Sequence, residues 1–166
     1  MSTGMANLDE ISDAIKTARE NGCNELVILH CISAYPAPAE ESNLATIKDM
    51  AERFNVITGL SDHTLGTAVS VASIALGASL IEKHFTLDRN DDGPDSTFSL
   101  EPEELKTLVS ETNIVHQAIG SAGYDRKVVE KDNIKFRRSL YFVENLKKGD
   151  IISKNNIELA LDKKVN

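Results

Sequence analysis

The chain has few cysteines, no surplus of positive charge and no long hydrophobic run, and each shortage excludes a class of protein. Its two cysteines, Cys23 and Cys31, have neither the number of a disulfide framework nor the spacing of a zinc site. We interpret them as reduced thiols, which predicts a cytoplasmic location. The 18 Lys and Arg residues are outnumbered by 26 Asp and Glu, and the net charge of -8 argues against nucleic acid as a partner.

Hydrophobic segments long enough for a membrane are also missing from the sequence. The longest apolar run, at about residues 69–81, is interrupted by serines and a glycine, so we expect no membrane partner. The opening "MSTGMANLDE" lacks the basic and apolar segments of a secretory signal peptide, and we expect none there. What is present, 41% hydrophobic and 27% charged residues, is typical of a globular protein.

Helix and strand patterns alternate over the first 120 residues. Asn7 and Glu10 occupy capping-box positions for a first helix that ends at Asn21-Gly22. Strands that alternate with helices predict βα units and a parallel sheet, hence an α/β fold. The remaining helices are predicted at 43–54, 67–77 and 101–120, and the mostly apolar strands at 25–31, 56–60 and 79–85.

The character of the sequence changes after Gly120. A charged stretch predicts a linker over residues 121–134, which separates a first domain, 1–120, from a second one, 135–166. The second part contains two short β-like runs, "RRSLYFV" and "IISKNNIELAL", on either side of a Lys-Gly-Asp turn. We therefore expect a small β-rich second domain.

Two strand ends carry similar polar groups. "GLSDHT" (59–64) and "IEKHF" (81–85) each contain one histidine and an acidic neighbour. Side chains alternate along a strand, so Ser61 shares a face with His63, and Glu82 shares one with His84. Chemistry in parallel α/β sheets gathers at the carboxyl ends of strands, where two imidazoles suit a divalent transition ion. The alternative is a pair of strand-end histidines satisfied by hydrogen bonds.

The residue just before each histidine faces the other way, and a loop follows His84. Asp62 and Lys83 alternate to the opposite face, and we expect Asp62 to fix the loop or support a ligand. The Asp-rich loop 89–102 offers Asp95 for sugar hydroxyls, although a solvated turn explains its composition equally well.

Two further segments offer small polar groups. "CISAYPAP" (31–38) presents Ser33 and Tyr35 at the end of the first strand. "STGM" (2–5) places Ser2 before a helix and could hold a phosphate, although so short a motif is common.

Taken in order, these motifs resemble the sialic acid synthase family. The segments are STGM, CISAYPAP, GLSDHTLG, IEKHFTL, GPDSTFSLEP and RRSL with a KKGD turn. Three segments, "CISAYPAP", "MAERFNV" and "DDGPDSTFSLEP", are most similar to the pseudaminic acid synthase branch. The resemblance implies a (β/α)8 barrel followed by a small antifreeze-like (SAF) domain. Because a whole barrel needs about 250 residues, it also implies that this chain is a carboxyl-terminal fragment, with the last βα units and an incomplete SAF domain.

The resemblance implies a reaction and a set of site residues. The family condenses phosphoenolpyruvate with an N-acetylated amino sugar, here 2,4-diacetamido-2,4,6-trideoxy-altrose, to a nine-carbon 2-keto acid, and releases phosphate. His63 and His84 would bind a divalent ion, manganese or magnesium, and would act in catalysis with Glu82. The substrates would contact Ser2, Ser33, Tyr35, Ser61 and Asp95.

Other readings of the resemblance stay open. Within the family, the alternative is an N-acetylneuraminate or legionaminic acid synthase. Outside it, the chain could be a catalytically incomplete fragment that binds metal or sugar, or that serves assembly. The intact enzyme is expected to be a homodimer. The isolated chain is expected to be inactive, because the half-barrel with the phosphate-binding lysines has no counterpart here.

Overall fold

The computed structural model describes residues 1–161, and the chain divides into two compact units, 1–120 and 121–166. The last residues of the predicted second domain, 162–166, lie outside the described residues. Among the described residues, no helix is both long enough and apolar enough to cross a bilayer.

The first unit alternates helices and strands, as predicted. Its three strands form one parallel sheet in the order β1-β2-β3, which confirms the α/β prediction. In chain order the elements are α1 (Leu8–Glu20), β1 (Val27–Cys31), α2 (Ala45–Phe54), β2 (Ile57–Asp62), α3 (Ala68–Ala75), β3 (Ile81–Lys83) and α4 (Pro102–Ile119).

Local caps explain where the first and last helices of this unit begin. The Asn7 side chain accepts hydrogen bonds from the amides of Asp9 and Glu10, and Glu10 accepts one from the Asn7 amide, which confirms the predicted capping box. Pro102 opens α4, where its missing N–H removes no helical hydrogen bond.

Two short segments pair with the strands of this sheet. Ser2 pairs with Leu29 in parallel, so the residues before α1 lie beside β1. Just after β3, Phe85 pairs with Leu100 in parallel, and the Leu100 amide donates to the His84 carbonyl. The loop after β3 therefore folds back along the end of that strand before α4 begins.

Two buried clusters pack helices onto the sheet. Ile15 of α1 and Met50 of α2 contact Ile28 of β1, while Ile47 of α2 and Leu60 of β2 belong to a second cluster. These side chains are nearly all removed from water, which stabilises each by about 1.5–3 kcal/mol. Helices α1 and α2 thus cover one face of the sheet and hold strands β1 and β2 in place relative to each other.

Strand lengths differ from the prediction at the two ends that matter most. β2 continues to Asp62, beyond the predicted 56–60, whereas β3 keeps only Ile81–Lys83 of the predicted 79–85. β3 is short because the backbone at His84 pairs with Leu100 instead of continuing the ladder with β2.

The second unit is small and rich in β structure. A 3₁₀ helix occupies Val128–Phe136, so the second half of the predicted linker is helical. Strands β4 (Arg138–Phe142) and β5 (Ile157–Leu161) pair antiparallel, as the two short apolar runs predicted. Gly149, in the predicted Lys-Gly-Asp turn, has φ of 106°, a conformation that favours glycine.

Candidate functional site

Polar side chains form a row across the carboxyl ends of the three strands. Cys31 of β1 stands beside Ser61 of β2, and Ser61 stands beside Glu82 of β3. The Ser61 hydroxyl donates a 2.7 Å hydrogen bond to Oε1 of Glu82. The register of the parallel sheet therefore joins two residues that are 21 positions apart in the chain.

The two predicted histidines meet just beyond this row. The ring centroids of His63 and His84 are 5.2 Å apart, and the ring planes are inclined by 63°. His63 is buried, and its Nδ1–H donates to the Ile32 carbonyl at 2.8 Å. Because that proton occupies Nδ1, the neutral ring keeps a lone pair on Nε2.

His84 has an acidic neighbour of its own. Nδ1 of His84 lies 3.4 Å from Oδ2 of Asp95, and both side chains are partly exposed, at 31% and 51%. A carboxylate at this distance favours a proton on Nδ1, which again leaves Nε2 as the donor to a ligand. The two histidines are thus held in the same way, one by a carbonyl and one by a carboxylate.

Two further aromatic rings enclose the histidine pair. Tyr35 lies 4.3 Å from His63 between ring centroids, and Phe98 lies 5.1 Å from His84. Tyr35 and Phe98 are themselves 5.9 Å apart. Phe98 is buried whereas Tyr35 is 55% exposed, so the cluster has an apolar floor and one ring at its open edge.

Backbone contacts hold both loops that carry these rings. The Ala37 amide donates to the His63 carbonyl at 2.9 Å, which ties the Tyr35 loop to the end of β2. In the other loop, the Ser99 hydroxyl donates to the Asp95 carbonyl at 2.7 Å, and Arg89 Nε donates to the Ser99 carbonyl at 2.9 Å. Asp95 therefore belongs to an internally bonded loop.

The opposite face of β2 and β3 holds a buried ion pair. Asp62 and Lys83 are register partners, and Lys83 Nζ lies 2.9 Å from Asp62 Oδ2. Asp62 also accepts from the Thr64 amide at 2.8 Å and from the Ser70 hydroxyl of α3. The prediction that Asp62 faces away from the histidines and fixes the loop is confirmed.

The surroundings of Asp62 keep it ionised. Burial by itself raises the pKa of this carboxyl group, but hydrogen bonds from Ser70, Lys83 and the Thr64 amide, with the charge of Lys83, lower the pKa below its usual value. A buried charge is tolerated only when it is paired and hydrogen-bonded, and here every condition is met.

The predicted site residues divide into a central group and a peripheral pair. The central group contains Tyr35, Ser61, His63, Glu82, His84 and Asp95, which are linked by the contacts above. Ser33 is exposed, and its hydroxyl lies 3.9 Å from the Cys31 sulfur. Ser2 lies at the sheet edge beside Leu29, and it is Thr3 whose hydroxyl bonds the Cys31 amide.

The donor set fits a divalent ion that takes only part of its shell from this chain. Within residues 1–161, no group of three or more His, Cys, Asp or Glu side chains is arranged to hold a metal. Both histidines have Nδ1 engaged, His63 by the Ile32 carbonyl and His84 by Asp95, and an imidazole held in this way can bind Mn, Fe or Zn ions through Nε2. His63 and His84 therefore make a two-ligand candidate site, whose other positions are left for water or substrate.

Three residues at the site were not predicted to act there. Phe98 belongs to the "DSTFSLEP" segment, but only the fold-back of that loop brings its ring against His84. Cys31, whose sulfur is 3.9 Å from His63 Nδ1, was interpreted only as a reduced thiol. Lys83 was expected only to face the other way, since its pairing with Asp62 depends on the register between strands.

Comparison with known proteins gives a consistent family. Residues 1–124 match the NeuB family. The chain is 43% identical over 160 residues to N,N'-diacetyllegionaminic acid synthase and 39% identical over 158 residues to pseudaminic acid synthase, both from strains of Campylobacter jejuni. Each match covers 95% of this chain and 48% or 46% of the relative, so the chain spans about half the length of the curated relatives it matches.

A solved structure gives the same result. The N-acetylneuraminic acid (sialic acid) synthetase of Leptospira borgpetersenii serovar Hardjo-bovis, in complex with citrate, superposes with a TM-score of 0.72 at 33% identity. The match covers 80% of this chain and 46% of the synthetase. The α/β fold of this chain therefore matches part of a sialic acid synthetase structure, and the chain belongs to the NeuB family.

Proposed function

We propose that this chain forms the carboxyl-terminal half of a synthase that condenses phosphoenolpyruvate with an N-acetylated amino sugar. One observation carries the proposal: the ring centroids of two histidines lie 5.2 Å apart at the carboxyl ends of adjacent parallel strands, beside a hydrogen-bonded carboxylate. The family match over residues 1–124 supports the reaction type.

The proposed architecture is larger than the chain. Residues 1–120 would supply the last βα units of a (β/α)8 barrel, and residues 135–166 would supply a SAF-type domain after the linker 121–134. The intact enzyme would be a cytoplasmic homodimer. In this arrangement the candidate site faces the missing half of the barrel, which would supply the groups that bind phosphate.

The proposed reaction joins carbon 3 of phosphoenolpyruvate to the aldehyde carbon of the open-chain sugar. Water adds at carbon 2, and the bond between that carbon and the phosphate oxygen breaks. His63 and His84 would hold a divalent ion through Nε2, with Asp95 and the Ile32 carbonyl orienting the rings. When bound, such an ion supplies a Lewis acid for the aldehyde oxygen.

Glu82 is the proposed acid–base or sugar-binding group. Its Oε1 accepts a hydrogen bond from the Ser61 hydroxyl, which orients the carboxyl group at the strand end. Tyr35 would cover the sugar beside His63, and Asp95 would accept sugar hydroxyls with the oxygen that does not face His84. Ser2 and Ser33 would contact phosphoenolpyruvate from the edge of β1.

The sugar is the finer part of the proposal. The motif wording favours the pseudaminic acid precursor 2,4-diacetamido-2,4,6-trideoxy-altrose. The 43% identity to a legionaminic acid synthase, against 39% to a pseudaminic acid synthase, favours the legionaminic precursor as the second candidate. Both sugars are therefore compared with N-acetylmannosamine in one assay.

The test is a chimera in which the first half of the Campylobacter jejuni legionaminic acid synthase precedes residue 1 of this chain. We expect phosphate release with phosphoenolpyruvate and one of the diacetamido sugars, and no release from the 166 residues alone. A chimera that also carries His84→Ala should lose turnover, whereas His116→Ala, at an exposed histidine of α4, should keep it.

Two results would contradict this proposal. A folded chimera that binds metal but turns over none of the three sugars would favour a binding fragment. Equal or better turnover of N-acetylmannosamine would move the protein to the neuraminic acid branch.

A further inference from the structure

A buried ion pair lies directly behind the histidine pair. Asp62 immediately precedes His63 in the chain, and Lys83 immediately precedes His84. Asp62 and Lys83 are also register partners on β2 and β3, so they join the two strands at their last shared position. Each histidine is therefore one residue away from the same contact between strands.

Lys83 forms hydrogen bonds with both residues that flank His63 in the chain. Its Nζ lies 2.9 Å from the Asp62 carboxylate on one side of His63 and donates at 2.6 Å to the Thr64 carbonyl on the other. The Thr64 amide in turn donates to Asp62 Oδ1 at 2.8 Å. The backbone that carries His63 is thus bonded on both sides to the residue next to His84.

The Asp62–Lys83 ion pair is buried and differs in this from the exposed ion pairs of the helices. The side chains of Lys83 and Asp62 are 3% and 1% exposed, and the Ser70 hydroxyl anchors Asp62 to α3. Buried ion pairs contribute little net stability compared with apolar replacements, because desolvation offsets their attraction. What such a pair does supply is a defined arrangement, since an ammonium with fixed acceptors permits few alternatives.

We propose that the Asp62–Lys83 ion pair is a positioning device that sets the separation and orientation of His63 and His84. The pair touches neither substrate nor metal, and it acts through the backbone on which the two imidazoles stand. Only one of the two measurements that test this inference, the affinity for Co²⁺, rests on the proposed metal site. The other readout is the contact between the two imidazole rings, which needs no metal.

The experiment uses the full chain without added metal, and then with Co²⁺ as the probe. Removal of one partner leaves an unpaired buried charge, so the main variant is the double substitution D62N/K83M, which leaves none. Ile15→Val is the matched control, since it trims a buried side chain in the α1 cluster away from both strand ends. Circular dichroism and urea unfolding establish that each variant is folded.

We expect nuclear Overhauser contacts between the His63 and His84 rings in the unmodified chain and in Ile15→Val, and their loss in D62N/K83M. Co²⁺ affinity should fall by about 10–100-fold in the double variant, as for other residues that orient metal ligands, and stay unchanged in the control. If the double variant does not fold, Ser70→Ala, which removes the anchor of Asp62, should weaken both readouts to a smaller extent.

The outcomes separate this inference from the proposed function. The positioning role is overturned if the ring contacts persist in the folded double variant. If the double variant does not fold, their unchanged strength in Ser70→Ala overturns it. Absence of the ring contacts from the unmodified chain also overturns it. If the unmodified chain shows the ring contacts but does not bind Co²⁺, the proposed metal site is contradicted. The contacts between the two imidazole rings would then still test the positioning role.

Discussion

Strands β2 and β3 present one face to the candidate site and the other to the helix layer. Polar side chains on the two faces differ in burial and in the number of their hydrogen-bond partners. Asp62 and Lys83 are almost completely buried, and each has several hydrogen-bond partners. On the site face, His84 and Asp95 are 31% and 51% exposed and share one contact at 3.4 Å. The Asp62–Lys83 pair is satisfied internally, whereas His84 and Asp95 keep donor and acceptor capacity for a ligand.

This difference shows how one short stretch of sequence serves two purposes. A charge that faces the helix layer must be paired, because an isolated buried ion is prohibitively unfavourable. A group that faces the site needs only enough partners to fix its orientation, such as the single carbonyl on His63. Substitutions on the two faces should therefore fail in different ways, with lost stability on one and lost binding on the other.

The largest expected effect is on the buried face. Lys83→Met should reduce the free energy of unfolding by about 3–5 kcal/mol, because it leaves the Asp62 carboxylate buried without its cation. Lys106→Met is the control, since Lys106 and Glu103 form an exposed pair at 77% and 85% and should change stability by less than about 0.5 kcal/mol. Urea unfolding measures both. Equal effects of the two substitutions would erase the contrast between the faces.

The next effect is on the site face and on binding. His63→Ala and His84→Ala should each lower the affinity for Mn²⁺ or Co²⁺ by about 100-fold or more, because loss of a ligand exceeds loss of an orienting group. His116→Ala, at an exposed histidine of α4, should leave the affinity unchanged. Isothermal titration calorimetry provides the measurement. Full affinity in either single variant would mean that the two histidines do not share an ion.

A smaller loss is expected from the loop beside His84. Asp95→Asn keeps the shape of the side chain but removes the charge 3.4 Å from His84 Nδ1, and metal affinity should fall by about 10–100-fold with little change in stability. Asp92→Asn, an exposed position in the same loop, serves as the control. A loss of stability without a loss of affinity would assign Asp95 to the loop rather than to the site.

The smallest effect is expected from the hydrogen bond between Ser61 and Glu82 at the strand ends. Ser61→Ala removes the donor to Glu82 Oε1 and should reduce the free energy of unfolding by about 0.5–1.5 kcal/mol, the usual contribution of one hydrogen bond. In the active chimera, it should also lower kcat more than it raises KM if Glu82 transfers a proton. Cys31→Ser, at the neighbouring position of the row on β1, is the comparison for an effect of packing alone. A change in KM alone would make Glu82 a sugar-binding residue.

Local patterns predicted much of the first unit correctly. The capping box at Asn7 and Glu10 and the alternation of helices and strands depend on neighbours in the chain, and both are confirmed. Alternation along a strand also predicted that Asp62 and Lys83 face away from the histidines. The length of β3 was wrong, because Leu100 takes over the backbone pairing at its end.

Most of the residues that meet at the strand ends were named from the sequence, but the contacts between them were not. His63, Glu82 and His84 were identified from their positions at strand ends, and the sequence contained no signal for the distance between the two rings. The ring of Phe98 against His84 and the place of Asp95 at His84 Nδ1 both depend on a loop that folds back over the strand end. Ser2 was identified from a short motif, and it lies at the sheet edge beside Leu29.

The sequence by itself determined which segments are helices and strands, which residues share a face, and the family to which the motifs belong. Those properties follow from periodicity, caps and residue chemistry over short distances along the chain. Only the tertiary structure decided that Lys83 pairs with Asp62, that Ser61 bonds Glu82, and that the two histidine rings lie 5.2 Å apart. These contacts join residues 21 positions apart, and they depend on the register between parallel strands, which packing of the helices on the sheet sets.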